Sequence, residues 1–199
     1  MSDLHDVQVL LFDVFGTVAD WYGSLTQELE IVGEKYNISW RISYPKSRKL
    51  AQGSTGSLNV DETHRQMERI LNSPEWKHLG AVFDEKEREN LNSAWHRLNG
   101  WPDASEGLDA LKKHFIIAAL SNGNICLLVD MAKHNDLPWD AVFYAEIFNS
   151  SKPYVYLDAI KQLSLQPQGC AMVTCHAWDL RSVGMMTIYV LSAAEEPEV

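Results

Sequence analysis

The sequence predicts an α/β fold: a Rossmann-like, doubly wound parallel sheet core with a helical cap inserted after the first strand. Three observations carry that expectation. Short apolar runs at 7–12, 115–120, 170–175 and 187–191 read as buried strands. Helical patterns at 105–114, 125–134 and 154–163 alternate with the later runs, as parallel βαβ units require. Residues from about 22 to 101 show helical periodicity and no convincing strand. The core is therefore assigned to 1–21 and 101–199, and the cap to 22–100.

Taken in order, the first run is Val-Gln-Val-Leu-Leu-Phe; it ends at Asp13, and Gly16 punctuates the turn that follows. In the insertion, Leu25, Leu29, Val32 and Tyr36 share one helical face, as do Val60, Thr63, Met67 and Ile70. Asp84 with Glu87 suggests a capping box for a helix carrying Leu91, Trp95 and Leu98. Residues 53–57 are the one loop-like low-complexity segment, and the chain returns to the sheet near Trp101-Pro102-Asp103. The second run ends at Ser121-Asn122-Gly123-Asn124, the third at His176-Ala177-Trp178-Asp179, and the last follows Gly184. Ligands of doubly wound sheets bind at the carboxyl ends of the strands. Three of the four runs end there in polar, reactive residue types.

Composition narrows the classes. A chain of 199 residues buries roughly 70% of the surface its unfolded form exposes, enough for a real core. Hydrophobic residues at 46% and charged residues at 22% match soluble globular proteins, with disorder expected only in the last few residues. A formal charge of −10 disfavours nucleic-acid binding, which needs a basic face. It also makes any cation beside a site for an anionic substrate more telling. Cys126, Cys170 and Cys175 are odd in number and form no Cys-x-x-Cys pair, so neither a disulfide framework nor a zinc knuckle is expected. A reduced, cytoplasmic setting fits this usage, with no membrane span.

Four segments carry candidate chemistry. Asp13, at the end of a buried strand before a tight turn, is placed to be surrounded by backbone N–H groups and to act as a nucleophile. Capping the turn is the plainer reading of the same residue, and the motif alone leaves the two evenly balanced. Ser121 and Asn122 offer a hydroxyl and an amide to an anionic substrate, although Ser-Asn-Gly is also turn chemistry. Lys152 in Ser151-Lys152-Pro153 puts a cation directly before a helix-starting proline. Asp179 lies just past another buried strand.

In that order, Asp, Ser/Asn, Lys-Pro and Asp resemble the four motifs of the haloacid dehalogenase superfamily over nearly the whole chain. Phe12-Asp13-Val14-Phe15-Gly16-Thr17, Leu120-Ser121-Asn122-Gly123 and His176-Ala177-Trp178-Asp179-Leu180 are most similar to its (S)-2-haloacid dehalogenase, or type II, branch. The resemblance implies that Asp13 attacks the halogen-bearing carbon and that Thr17 fixes its carboxylate. Lys152 would hold Asp179, which orients or activates water. Ser121 would bind the substrate carboxylate, and Asn122 the carboxylate or halide. Arg41, or Arg48, would supply the halide-binding arginine of the cap. Phe15 and Trp178 would form apolar walls, and Tyr156 would support the lysine. His176 stands where well-known members carry Asn, so it is expected to affect water positioning or halide preference, or to be structural.

Two positions separate the branches. The superfamily's phosphatases carry a second Asp two residues after the nucleophile to protonate a leaving alcohol; here that residue is Phe15, and a departing halide needs no proton. They also hold Mg²⁺ with an acidic cluster in the last motif, where this chain has Asp179 alone between Trp178 and Leu180. The resemblance therefore implies metal-independent hydrolysis of short 2-haloacids through an aspartyl ester, with no metal or other cofactor. A small carboxylate would be the substrate, and the aromatic residues of the cap would suit a homodimer. Two alternatives stay open: a Mg²⁺-dependent small-molecule phosphatase, and a member with little or no activity, because several core and cap segments are shorter than the family's.

Overall fold

Val9–Phe12 is buried at all four positions, because β1 has neighbours on both edges and packing on both faces. In this computed structural model the described residues are 4–36, 84–121, 123–148, 154–176 and 184–192. β1 is followed by a two-residue strand β2 (Ala19–Asp20), then by β3 (Asn99–Gly100), β4 (Ile116–Ser121), β5 (Ala141–Tyr144), β6 (Cys170–Thr174) and β7 (Met186–Tyr189). Five of these form one all-parallel sheet in the order β5-β4-β1-β6-β7. The chain runs outward from β1 through β4 to β5, then returns to the other side of β1 for β6 and β7. That reversal makes the carboxyl end of β1 a topological switch point.

The described helices are α1 (Trp21–Tyr36), α2 (Glu85–Ser93), α3 (Ala104–Lys112), α4 (Ile125–His134) and α5 (Tyr154–Gln162). Alternation along each strand divides the core into two layers. Val9 and Leu11, Ala118 and Leu120, and Cys170 and Met172 pack with Val155, Tyr156, Ala159 and Ile160 of α5. Leu10 and Phe12, Ile117, and Ala171 and Val173 pack on the opposite side with Leu108 of α3. The parallel sheet and flanking helices expected from the sequence are present. Among the described residues, no helix is long and apolar enough to cross a membrane.

Three strands, β2, β3 and β5, went unread in the sequence. β5 is an edge strand whose four residues are all half-buried, so it lacks the fully apolar signature of β1, β4 and β6. The expectation of no strand between 22 and 101 also needs correction: β3 pairs antiparallel with β2, Ala19 against Gly100 and Asp20 against Asn99. Two residues are too few to show a period. The link from β6 to β7 joins a parallel pair, Ala171 against Met186 through Thr174 against Tyr189.

Asp84 caps α2 as expected, its Oδ1 accepting from the Glu87 N–H at 2.8 Å. The returning half of the box is replaced: Glu87 Oε2 accepts from Lys35 Nζ at 2.5 Å and Tyr36 Oη at 3.3 Å, tying α2 to α1. Val32 of the first helical face is buried and Leu25 partly so. The second face, Val60 to Ile70, lies outside the described residues.

Candidate active site

The carboxyl end of β1 delivers Asp13 between the ends of β4 and β6, its N–H donating to the Val173 carbonyl at 3.0 Å. The chain then turns sharply: Val18 and Ala19 N–H both donate to the Val14 carbonyl at 3.0 Å, and the Gly16 N–H donates to the Ala19 carbonyl at 2.8 Å. Gly16 takes φ 82°, the left-handed region that glycine enters without steric cost. The turn returns Thr17 to the nucleophile candidate. Thr17 Oγ1 reaches Asp13 Oδ2 at 3.1 Å, and both residues are buried, at 7% and 4% exposure. The single hydroxyl proton of Thr17 also faces Cys175 Sγ at 3.3 Å. The carboxylate is the stronger acceptor and takes it. The Cys175 N–H donates back to Thr17 Oγ1 at 3.0 Å, fixing that hydroxyl from behind.

The end of β6 contributes His176. Its N–H donates to Thr174 Oγ1 at 3.0 Å, and its ring Nε2 lies 3.0 Å from the Phe15 carbonyl and 3.4 Å from Asp13 Oδ2. A carbonyl oxygen can only accept, so Nε2 carries a proton in either charge state of the ring. Burial on its own would lower the imidazole pKa. The Asp13 carboxylate and the Cys175 sulfur outweigh it and push the pKa up to about 11. In a chain of formal charge −10, His176 is thus a local cation set against the carboxylate.

The end of β4 contributes Ser121, which is 1% exposed and whose Oγ accepts from the Gly123 N–H at 3.3 Å. Asn124 accepts from the Leu127 N–H at 2.9 Å and caps α4, so part of this motif is turn and cap chemistry. A side chain at Gly123 would meet the Phe15 ring at 3.3 Å and Leu127 at 3.2 Å. The missing side chain lets the first and second motif loops touch through Phe15. That ring also meets Trp95 edge-on at 5.9 Å, and Trp95 stacks on Trp21 at 6.5 Å. Trp101 Nε1 donates to the Gly16 carbonyl at 2.9 Å, holding the nucleophile turn from outside.

Asp13, Thr17, Phe15, Ser121 and His176 of the expected set thus gather around the ends of β1, β4 and β6, with direct contacts among Asp13, Thr17, Phe15 and His176. Tyr156 is buried in the apolar layer beneath the sheet with Val155 and Ile160. Arg41, Arg48, Asn122, Lys152, Trp178 and Asp179 lie outside the described residues. Cys175, Trp95 and Trp101 were not anticipated. Cys175 was nonetheless signalled by its position between Thr174 and His176, in a motif already singled out.

Asp13, Cys175 and His176 each present one donor atom, all within 4.8 Å of one another. A thiol, an imidazole and one carboxylate form a soft-to-borderline set. Mg²⁺ demands hard oxygen ligands in near-octahedral array. Among the described residues the site does not fit Mg²⁺.

Comparison with known proteins agrees with this arrangement. Residues 7–182 match the family described as haloacid dehalogenase-like hydrolase. The (S)-2-haloacid dehalogenase 4A of Burkholderia cepacia is 28% identical over 193 residues, covering 91% of this chain and 80% of that one. Among solved structures, the L-2-haloacid dehalogenase PA0810 is 32% identical with a TM-score of 0.75, covering 92% of this chain and 83% of its own. The defluorinating L-2-haloacid dehalogenase Rha0230 is 30% identical with a TM-score of 0.76, covering 94% and 82%.

Proposed function

The chain belongs to the haloacid dehalogenase-like hydrolases, and from that premise we propose that it hydrolyses the carbon–halogen bond of short 2-haloacids through an ester on Asp13, without a metal ion. The observation that carries this reading is Phe15. Its ring stands where a phosphatase would need an acid, close to Gly123 and to Trp95. An apolar wall beside a buried carboxylate suits expulsion of halide, which leaves without a proton. It does not suit expulsion of an alkoxide. The thiol and imidazole around Asp13 argue the same way against Mg²⁺ chemistry.

The reaction runs in two steps. A carboxylate oxygen of Asp13 bonds to the halogen-bearing carbon from the side opposite the halogen, and the carbon–halogen pair leaves with the halide. The product is an inverted ester on the enzyme. Water then attacks the Asp13 carbonyl carbon, releasing the 2-hydroxyacid and restoring the carboxylate. Thr17 holds the carboxylate in place. Lys152 orients Asp179, which activates the water. Ser121 and Asn122 receive the substrate carboxylate, Arg41 or Arg48 in a cap over 22–100 receives the halide, and Trp178 with Phe15 lines the apolar side. The relatives named above are by name (S)- or L-2-haloacid dehalogenases, which supports the haloacid substrate class.

Halide release from each enantiomer of 2-chloropropionate, in chelator, tests this reading with wild type and Asp13→Asn. We expect metal-free release from the (S) enantiomer and near-complete loss in the variant, because an amide is a very poor nucleophile. Equal activity in the two proteins contradicts the assignment. Hydrolysis of p-nitrophenyl phosphate only with Mg²⁺ would indicate the phosphatase instead, and neither activity an inactive member.

A further inference from the structure

We propose that a second copy of this chain adds to the outer edge of β7, antiparallel about a two-fold axis, so that the two sheets join into one. The inference is independent of the reaction chemistry.

The two edges of the sheet are built differently. β5 is packed on both faces: Ala141 and Phe143 lie against the α5 layer, and Val142 and Tyr144 against Leu127, Leu128 and Met131 of α4. β7 is packed on one face. Met186, Ile188 and Val190 lean on the layer that holds Leu108 of α3, and are only partly buried there. On the other face Thr187 is exposed, Tyr189 is 40% exposed, and Leu191, just beyond the strand, is 82% exposed. Among the described residues β7 pairs with β6 alone. Strands of parallel sheets ordinarily have both faces covered, so β7 is open both at its edge and on one face. Beside α3, the end of the same strand borders a groove of about 370 Å³ whose lining includes Phe12, Trp101, Leu108, Leu111, Val190 and Leu191.

Charge selects the occupant. Proteins protect an edge strand from addition with lysines, prolines, bulges or inward-pointing charges. Here no Asp, Glu, Lys, Arg, His or Pro occurs over 182–194. In a chain of formal charge −10, two copies repel over most of their surface, and an uncharged strand is where they can meet without opposing like charges. Thr187, Ile188, Tyr189 and Val190 are residue types that favour strands. Residues 193–199 carry three glutamates and one proline, a composition unsuited to covering an apolar strand. Antiparallel addition about a two-fold uses the same edge on both copies and closes at two. Residues directly opposite in such a pair share a face, so one residue of the strand meets its own copy at the axis.

Sedimentation velocity on the full chain at micromolar concentrations, with disulfide cross-linking, tests the inference. We expect a dimer for wild type. The double variant Thr187→Lys with Leu191→Lys sets like charges against each other across the axis and should weaken association roughly 10²-fold or more, while its far-UV circular dichroism matches wild type. Single cysteines placed in turn over 187–191 should link to themselves, fastest at the one position on the axis. Cys126→Ser serves as their background, because Cys126 is exposed. These cross-links decide the matter if the lysine variant does not fold. A wild type that stays monomeric overturns the inference. So does a dimer that survives both lysines unweakened, or one in which no position over 187–191 links to itself, since the contact then lies on another face. Growth beyond two copies would indicate a head-to-tail contact and would overturn the two-fold arrangement as well.

Discussion

At the residue scale the site is built on one carboxylate oxygen and the groups around it. His176 is held as a cation by Asp13 and Cys175, with its pKa raised from 6.5 to about 11. A group whose pKa rises on folding contributes its full stabilisation below the unfolded value and loses it as pH climbs through the folded one. Wild type should therefore exceed His176→Asn in urea midpoint most at and below about pH 6.5, and the excess should shrink between pH 6.5 and about pH 11. A pH-independent difference between the two proteins would show that the imidazole charge contributes nothing to the fold. Asp13 was legible in the sequence from its place between a buried run and a turn, and Thr17 through the resemblance of the contiguous segment 12–17 to a known motif; the two meet because they are four residues apart. The contact of Cys175 with Thr17 was not, because it joins positions 158 residues apart, and no local pattern records it. The same distance hides the tautomer lock between His176 and the Phe15 carbonyl.

At the element scale, the short β2–β3 pair marks where the chain leaves the core and returns to it. Side chains from α4 and from the chain just after α4 secure that point. Asn135 Oδ1 accepts from the Gly100 N–H at 2.7 Å, and its Nδ2 donates to the carbonyls of Leu98 at 2.8 Å and Met131 at 3.0 Å. Trp101 adds its N–H to the Val18 carbonyl and its ring N–H to the Gly16 carbonyl, both at 2.9 Å. Asn135→Leu forfeits three partly buried hydrogen bonds and leaves backbone groups without partners, a cost of about 1–3 kcal/mol. Chemical denaturation should show that loss, and an unchanged midpoint would remove Asn135 from the account. None of this was readable beforehand. A two-residue strand shows no alternation, and an Asn after a helix looks like ordinary capping. The long elements were legible for the opposite reason: β1, β4 and β6 are buried on both faces and so read as unbroken apolar runs. β5 escaped because an edge position leaves all four of its residues half-exposed.

At the scale of the whole molecule, the sheet order decides where chemistry can occur. With β4 and β6 on either side of β1, the loops after all three strands open at the same end, at the point where the winding reverses. That single topological fact gathers Asp13, Ser121 and His176 from positions more than fifty residues apart. It also explains why reactive residue types at strand ends were the most useful signal in the sequence. In a chain of net charge −10, a partly buried imidazolium beside Asp13 would ease the approach of the proposed anionic substrate to a carboxylate. The central claim is that this carboxylate becomes covalently bonded to the substrate. A single turnover in ¹⁸O-water, with enzyme in excess over (S)-2-chloropropionate, tests it most directly. The account predicts ¹⁸O in the Asp13 carboxylate and an unlabelled hydroxyl in the product. Label in the product, with Asp13 unlabelled, would mean that water attacks the substrate directly and would contradict it.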